Sequence, residues 1–156
     1  MTQLRRRSVH HTTQHVAFSP NGPAVKVTYS DAVVIDTSEA RHIYCSGKTG
    51  VTGANGEGND LAAGVRNQLR QTLENIKEVL HNAGASFSDV VRVRVYVAVP
   101  ITRELLDDIH QVRSEYFSEA NLPASTLLGV AGLAREGALI EVDADAVVDI
   151  SMIAAN

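Results

Sequence analysis

Ten residues at 90–99, VVRVRVYVAV, alternate between valine and larger polar or aromatic side chains. That period of two admits one regular structure, a β-strand with two unlike faces. Val91, Val93, Val95 and Val97 are predicted to face one way and Arg92, Arg94 and Tyr96 the other, with Pro100 ending the run. A second run, ALIEVDADAVV at 138–148, repeats the design: Ile140, Val142, Ala144 and Ala146 on one side, Glu141, Asp143 and Asp145 on the other. Strands of this kind need a sheet with one face under cover. The other face, being charged, must meet water or line the inside of an oligomer.

Two helical patterns supply the cover. Leu61, Val65, Leu69, Leu73, Ile76 and Leu80 recur at spacings of three and four, predicting a helix capped by Asp60 and running to about Ala83. Gly84 is its expected left-handed stop. A second helix is predicted from near Thr102, with Leu105, Ile109, Val112 and Tyr116 as its buried stripe, ending before Pro123. The β-branched stretch at 24–35 reads as two strands or one bent strand, and further strands are expected at 42–46 and 125–130. Residues 48–60 carry four glycines and no hydrophobic period, which predicts a loop, without the spacing of a phosphate-cradling motif. The order is β-β-α-β-α-β-β: an α+β domain, two helices on one face of a mixed sheet. Residues 1–23 lack periodicity and are read as an N-terminal arm before a domain at 24–156.

Composition narrows the function. A chain of 156 residues with 14 Lys and Arg against 18 Asp and Glu has a net charge of −4. That weighs against a broad phosphate-binding surface, hence against nucleic acid as partner. The single cysteine, Cys45, excludes an internal disulfide and fits a reducing compartment; on its strand it reads as a small apolar residue. No apolar run approaches the ~20 residues that span a bilayer, and no secretory signal follows Arg5, Arg6 and Arg7. A soluble cytoplasmic protein is expected. His10, His11 and His15 have no acidic or cysteine partner nearby, so no metal site is expected there.

Several segments carry a family resemblance. TYSDAV at 28–33, IYCSGKTG at 43–50, Gln68 and Asn75 in the first helix, AGASFSDVVRVRVYV at 83–97, EYF at 115–117, LPAST at 122–126 and IEVDA at 140–144 all lie in order along the chain. Together they resemble the RidA/YjgF reactive-intermediate deaminase family, whose members are often labelled endoribonuclease L-PSP domains, over roughly residues 25–149. The resemblance implies a chorismate-mutase-like α+β fold assembled as a homotrimer around a barrel-like interior, with ligand clefts between subunits. It also implies a small-molecule substrate, and hydrolysis of enamines or imines to carbonyl compounds and ammonia with no metal and no organic cofactor.

By the same resemblance, Glu141 falls on the family's water-positioning glutamate, and Thr126 joins it as a catalytic candidate. Ser125, Tyr29, Ser30, Gly47, Lys48, His110 and Arg113 fall on cleft positions expected to bind substrate. The departures are informative. Where much of the family reads P-A-R-S, this chain has Pro123-Ala124-Ser125-Thr126, so a serine replaces the arginine that grips a substrate carboxylate. Lys48 stands in place of a common Gln, His110 of an Asn, Arg113 of a Tyr, and Leu127 of a cysteine. A hydroxyl cannot rebuild a bidentate, charge-assisted contact. The expected substrate is therefore an enamine or imine other than a simple 2-imino acid, a conjugated enamine such as 2-aminomuconate being one branch. The alternative is a trimer of the same family that binds a small ligand without turning it over. Arg92 and Arg94 are expected to pair with Asp143, Asp145 or a neighbouring chain's acids.

Overall fold

The computed structural model describes residues 5–9, 16–17, 25–26, 28–52 and 60–151. Its main sheet is organised about the long strand β9 (Ile140–Asp149). On one side β9 pairs antiparallel with β7 (Val90–Val97); on the other it pairs first with β5 (Ala40–Cys45) and then with the short β6 (Lys48–Thr49). Beyond β5 come β4 (Ala32–Asp36) and β1 (Arg5–Val9), both antiparallel. Beyond β7 comes β8 (Ala124–Gly129), the sheet's parallel neighbour. A separate small ladder joins β2 (Val16–Ala17) to β3 (Val25–Lys26). Helices α1 (Gly64–Ala83) and α2 (Arg103–Arg113) complete the mixed α+β fold expected above.

The alternation of β9 is observed in full: Ile140, Val142, Ala144 and Ala146 are all buried, and they share one core with Leu69, Leu73, Ile76 and Leu80 of α1. β7 differs by one position. Its register with β9 shifts between Val90 and Arg92, a bulge that turns Val90 into the core and leaves Val91 49% exposed. The expected inward place of Val91 is thus corrected, whereas Val93, Val95 and Val97 are buried as predicted.

Helix boundaries show similar local corrections. Thr102 caps α2, its Oγ1 accepting from Leu105 N at 3.2 Å. The helix ends at Arg113, so Tyr116 packs from the turn beyond it. Gly84 takes φ +82°, closing α1 as foreseen. Asp60, however, is not the cap of α1. The helix begins at Gly64 behind Ala63, and the Asp60 carbonyl accepts from Thr52 N at 2.8 Å instead, closing the glycine-rich loop beside a Val51–Leu61 bridge. Part of the residue 1–23 segment is an ordered edge strand, β1, with Arg7 Nη2 donating to Ala83 O at the end of α1. His10, His11 and His15 lie outside the described residues. No described helix is long and apolar enough to cross a membrane.

Two buried polar residues of α1 tie the sheet to the helix. Asn75 Nδ2 donates to Thr49 O at 2.9 Å and Val51 O at 3.0 Å, and Gln68 bridges Gly137 O (3.2 Å) and Leu139 N (2.8 Å). They pin β6 and the entry to β9, the two segments that flank Glu141. Replacing Asn75 by alanine strands two carbonyls. We expect Asn75→Ala to cost about 1–3 kcal/mol of stability, read as a lower urea midpoint with an unchanged m-value.

Candidate functional site

Glu141 sits near the start of β9, in register with Thr49 of β6 on one side and Tyr96 of β7 on the other. The chain reaches β6 through Gly47, and the glycine is required by contact. A Cβ there would come 2.0 Å from Glu141 Oε1 and 2.8 Å from its Cδ. The carboxylate is therefore packed against backbone, half-buried, in a notch that any side chain at 47 would fill.

The electrostatics of this notch follow from its neighbours. Arg94 forms a bidentate pair with Asp145, both bonds 3.0 Å, and its Nε lies 2.6 Å from Asp143 Oδ1. The Asp143 contact is outside hydrogen-bond alignment, leaving that oxygen in charge contact only. Tyr96 donates its hydroxyl to Asp143 Oδ2 at 3.0 Å. The expected pairing of Arg94 with Asp143 and Asp145 is thus observed, whereas Arg92 is exposed and forms no ion pair among the described residues. No cation pairs with Glu141 among the described residues. Burial raises its pKa above the ordinary carboxylate value, and the negative charge of Asp143 adds to the effect.

Lys48 and Ser30 border the same end of β5 and β6. Lys48 forms an ion pair with Asp31, a residue only 7% exposed. Its charge is accordingly committed within the chain. Ser46 donates Oγ to Ser30 O at 2.6 Å, and Ser46 N donates to Asp31 O at 2.8 Å, fixing the segment that leads from Tyr29. Tyr29 itself is 62% exposed. The sequence reading overlooked Asp31, although an acid between Tyr-Ser and a β-branched run already signals a buried charge in need of a partner. Cys45 is buried and its thiol is pushed up to about 12, chiefly by burial, which makes it a packing residue.

The remaining candidates gather elsewhere. Arg113 Nη1 donates to Ser125 Oγ at 2.8 Å, while His110 lies exposed one turn earlier on α2. Ser125 is paired with Val93, a helix-face residue, and Thr126 with Arg94 on the open face. Counting strands and register, Ser125 and Glu141 are roughly 14 Å apart in one chain and on opposite faces of the sheet. Within one copy the candidates thus fall into two separate groups: Glu141, Gly47, Lys48 and Ser30 in one, Arg113, Ser125 and His110 in the other. Among the described residues no three His, Cys, Asp or Glu side chains converge as a metal site.

A mixed sheet with two helices on one face makes this a small α+β protein. The family model described as Endoribonuclease L-PSP matches residues 19–148. The chain is 34% identical to the 2-iminobutanoate/2-iminopropanoate deaminase of Rattus norvegicus, over 85% of this chain and 88% of that protein. It is 31% identical to a RutC family protein of Pyrococcus horikoshii, covering 84% and 95% respectively. Among solved structures, RidA of an Antarctic Psychrobacter superposes with a TM-score of 0.67 at 28% identity, covering 87% of this chain and all of that one. The chain belongs to the Endoribonuclease L-PSP family, that of the YjgF/RidA proteins.

Asp143→Asn should lower the pKa of Glu141, because it removes the like charge and releases the positive field of Arg94. Carbon-13 NMR titration of the Glu141 carboxyl checks this; an upward displacement would show that Asp143 acts on Glu141 through structure rather than charge.

Proposed function

We propose that this protein is a cofactor-independent hydrolytic deaminase of an enamine or imine, acting in the cytoplasm as a homotrimer with clefts between subunits. The observation that carries the reading is Glu141: a carboxylate pressed into the Gly47 notch, without a cation, its proton affinity raised by burial and Asp143. Hydrolysis of a C=N bond needs a water oxygen to add to carbon while a proton moves to nitrogen, after which ammonia leaves and a carbonyl remains. A carboxylate with raised proton affinity can take the proton from the adding water and return it to nitrogen near neutral pH. An enamine first takes its proton on carbon, which the same group can supply. Support comes also from relatives named as 2-iminobutanoate/2-iminopropanoate deaminases, from rat and from human, at 34% and 31% identity.

Assembly is part of the proposal because one copy holds Glu141 and the Ser125–Arg113 pair on opposite faces of the sheet. β8, whose far edge has no partner strand among the described residues, bears Leu128 at 50% exposure, with Leu122 at 67% just before it. A neighbouring copy placed there would cover that apolar edge and bring its own Glu141 half-site alongside. The finer substrate reading follows from the serine at 125. We place the substrate outside the simple 2-imino acids, among larger or conjugated enamines such as 2-aminomuconate. Thr126, exposed beside Arg94, is positioned to donate to substrate or water in the assembled cleft. Loss of the arginine equally suits a ligand-binding trimer without turnover, and activity decides between the two.

Ammonia release should be measured on 2-aminomuconate and on imines made in situ by an amino-acid oxidase. We expect turnover of the conjugated enamine to exceed that of the simple imines by at least tenfold. Glu141→Gln should abolish release while preserving the fold, and should raise the melting temperature near neutral pH. The sign follows from a folded-state pKa above the unfolded one: the stabilising contribution is present when Glu141 is protonated and is lost as pH rises through the folded pKa. Full activity in Glu141→Gln, or a monomer by light scattering at micromolar concentration, would remove the basis of the proposal.

A further inference from the structure

The Arg113 guanidinium is an arginine without an acid. It is half-buried, sits 5.6 Å from the Phe117 ring centroid, and donates from Nη1 to Ser125 Oγ. No carboxylate faces it among the described residues, and burial lowers its pKa with no acidic charge opposing. The acid beside it in sequence, Glu115, is taken by Arg70 in a bidentate pair of 2.7 and 3.0 Å. Arg66, Arg103 and Arg41 find acids in Asp108, Asp107 and Asp36, whereas Arg92, without one among the described residues, is exposed to water. Desolvating a guanidinium without a counter-ion costs stability, and its Nε and Nη2 protons have no hydrogen-bond partner among the described residues.

The geometry points to Arg113 as the substrate's anion anchor, held in position by Ser125. This inference rests on the deaminase reading above and deepens it by assigning a carboxylate to the substrate. Ser125 does not bind the carboxylate in place of an arginine. It accepts one hydrogen bond from a guanidinium delivered by the last turn of α2, and so aims the fork. The free Nε and Nη2 edge then presents two parallel N–H groups, the spacing a planar carboxylate takes. Phe117 behind the guanidinium fixes its plane by cation–π contact. The charge that the sequence lacks at 125 is thus supplied from 113, on a different element. An anchor entering from α2 sets the substrate at a different distance from the assembled carboxylate, consistent with a substrate other than the simple 2-imino acids. A single guanidinium and one hydroxyl match a monoanionic carboxylate better than a phosphate, which calls for more donors.

Equilibrium binding tests this without requiring turnover. The probes are pyruvate, 2-oxobutanoate and 2-oxoglutarate, as carbonyl product analogues, against pyruvamide as the uncharged control and inorganic phosphate as the competing anion. Calorimetry on the wild-type assembly should show binding of at least one 2-oxo acid, and weaker or no binding of pyruvamide and phosphate. Arg113→Gln should lose roughly ten- to a hundred-fold in affinity for the acid; Arg113→Lys should recover part of it. Ser125→Ala, a change at an exposed site that leaves the fold intact, should weaken the acid about three- to tenfold by releasing the fork. If no 2-oxo acid binds, if phosphate binds as well as the acid, or if folded Arg113→Gln or Ser125→Ala retains wild-type affinity, the assignment is overturned. Acid binding through Arg113 with no ammonia release from any substrate would instead overturn the deaminase reading and leave the anchor standing.

Discussion

On the open face of the sheet one guanidinium serves two carboxylates and leaves a third without any. Arg94 holds Asp145 through two bonds and Asp143 through its Nε, so its charge is spent before it reaches Glu141. The consequence is electrostatic as much as structural. Asp143 is held in place by Arg94 and Tyr96, and from there it makes ionisation of Glu141 less favourable. The strand alternation that builds the core on one face of β9 is therefore also what lines up three acids on the other. Fold and candidate chemistry are two sides of one periodicity.

Position alone would not suffice, because a glutamate on an open face ordinarily swings into water. Gly47 provides the confinement: the chain leaves β5, passes the carboxylate without a side chain, and rejoins β9 as β6. Asn75 and Gln68 then hold that return from beneath, through backbone groups at 49, 51, 137 and 139. Two amides buried in a helix that faces an apolar core would be a liability if they did not end on backbone donors and acceptors. Their place in the helical stripe reads as an interruption in the sequence and as a mooring in the structure.

The strands and helices were legible because their periods are long and strongly patterned. β9 follows its sequence pattern residue by residue, and both Thr102 and Gly84 act where their chemistry suggests. The errors are local and share a cause. A bulge after Val90 costs one residue of phase, which no count of alternating side chains reveals, and Asp60 is drawn into loop closure by Thr52 before it can cap a helix. Candidate site residues could be named as a set, through family resemblance, but their contacts could not. Lys48 is neutralised by Asp31, seventeen positions away, and Arg113 meets Ser125 across a turn that separates a helix from a strand. Pair contacts of this kind depend on tertiary distance, which periodicity does not encode.

The contact between Arg113 and Ser125 links two positions that the family resemblance marked as departures. Ser125 is exposed and can be solvated without a partner, whereas Arg113, half-buried with no acid facing it among the described residues, needs an acceptor. Ser125 supplies it, its hydroxyl accepting the Nη1 proton at 2.8 Å. Restoring an arginine at 125 would therefore not simply restore a lost contact. It would set two guanidinium groups against each other at the end of α2, where the first has no acid to absorb the charge. Under the anchor proposed above the pair acts as a unit, and coupling between 113 and 125, rather than the identity of either residue, decides what that end of the proposed cleft binds.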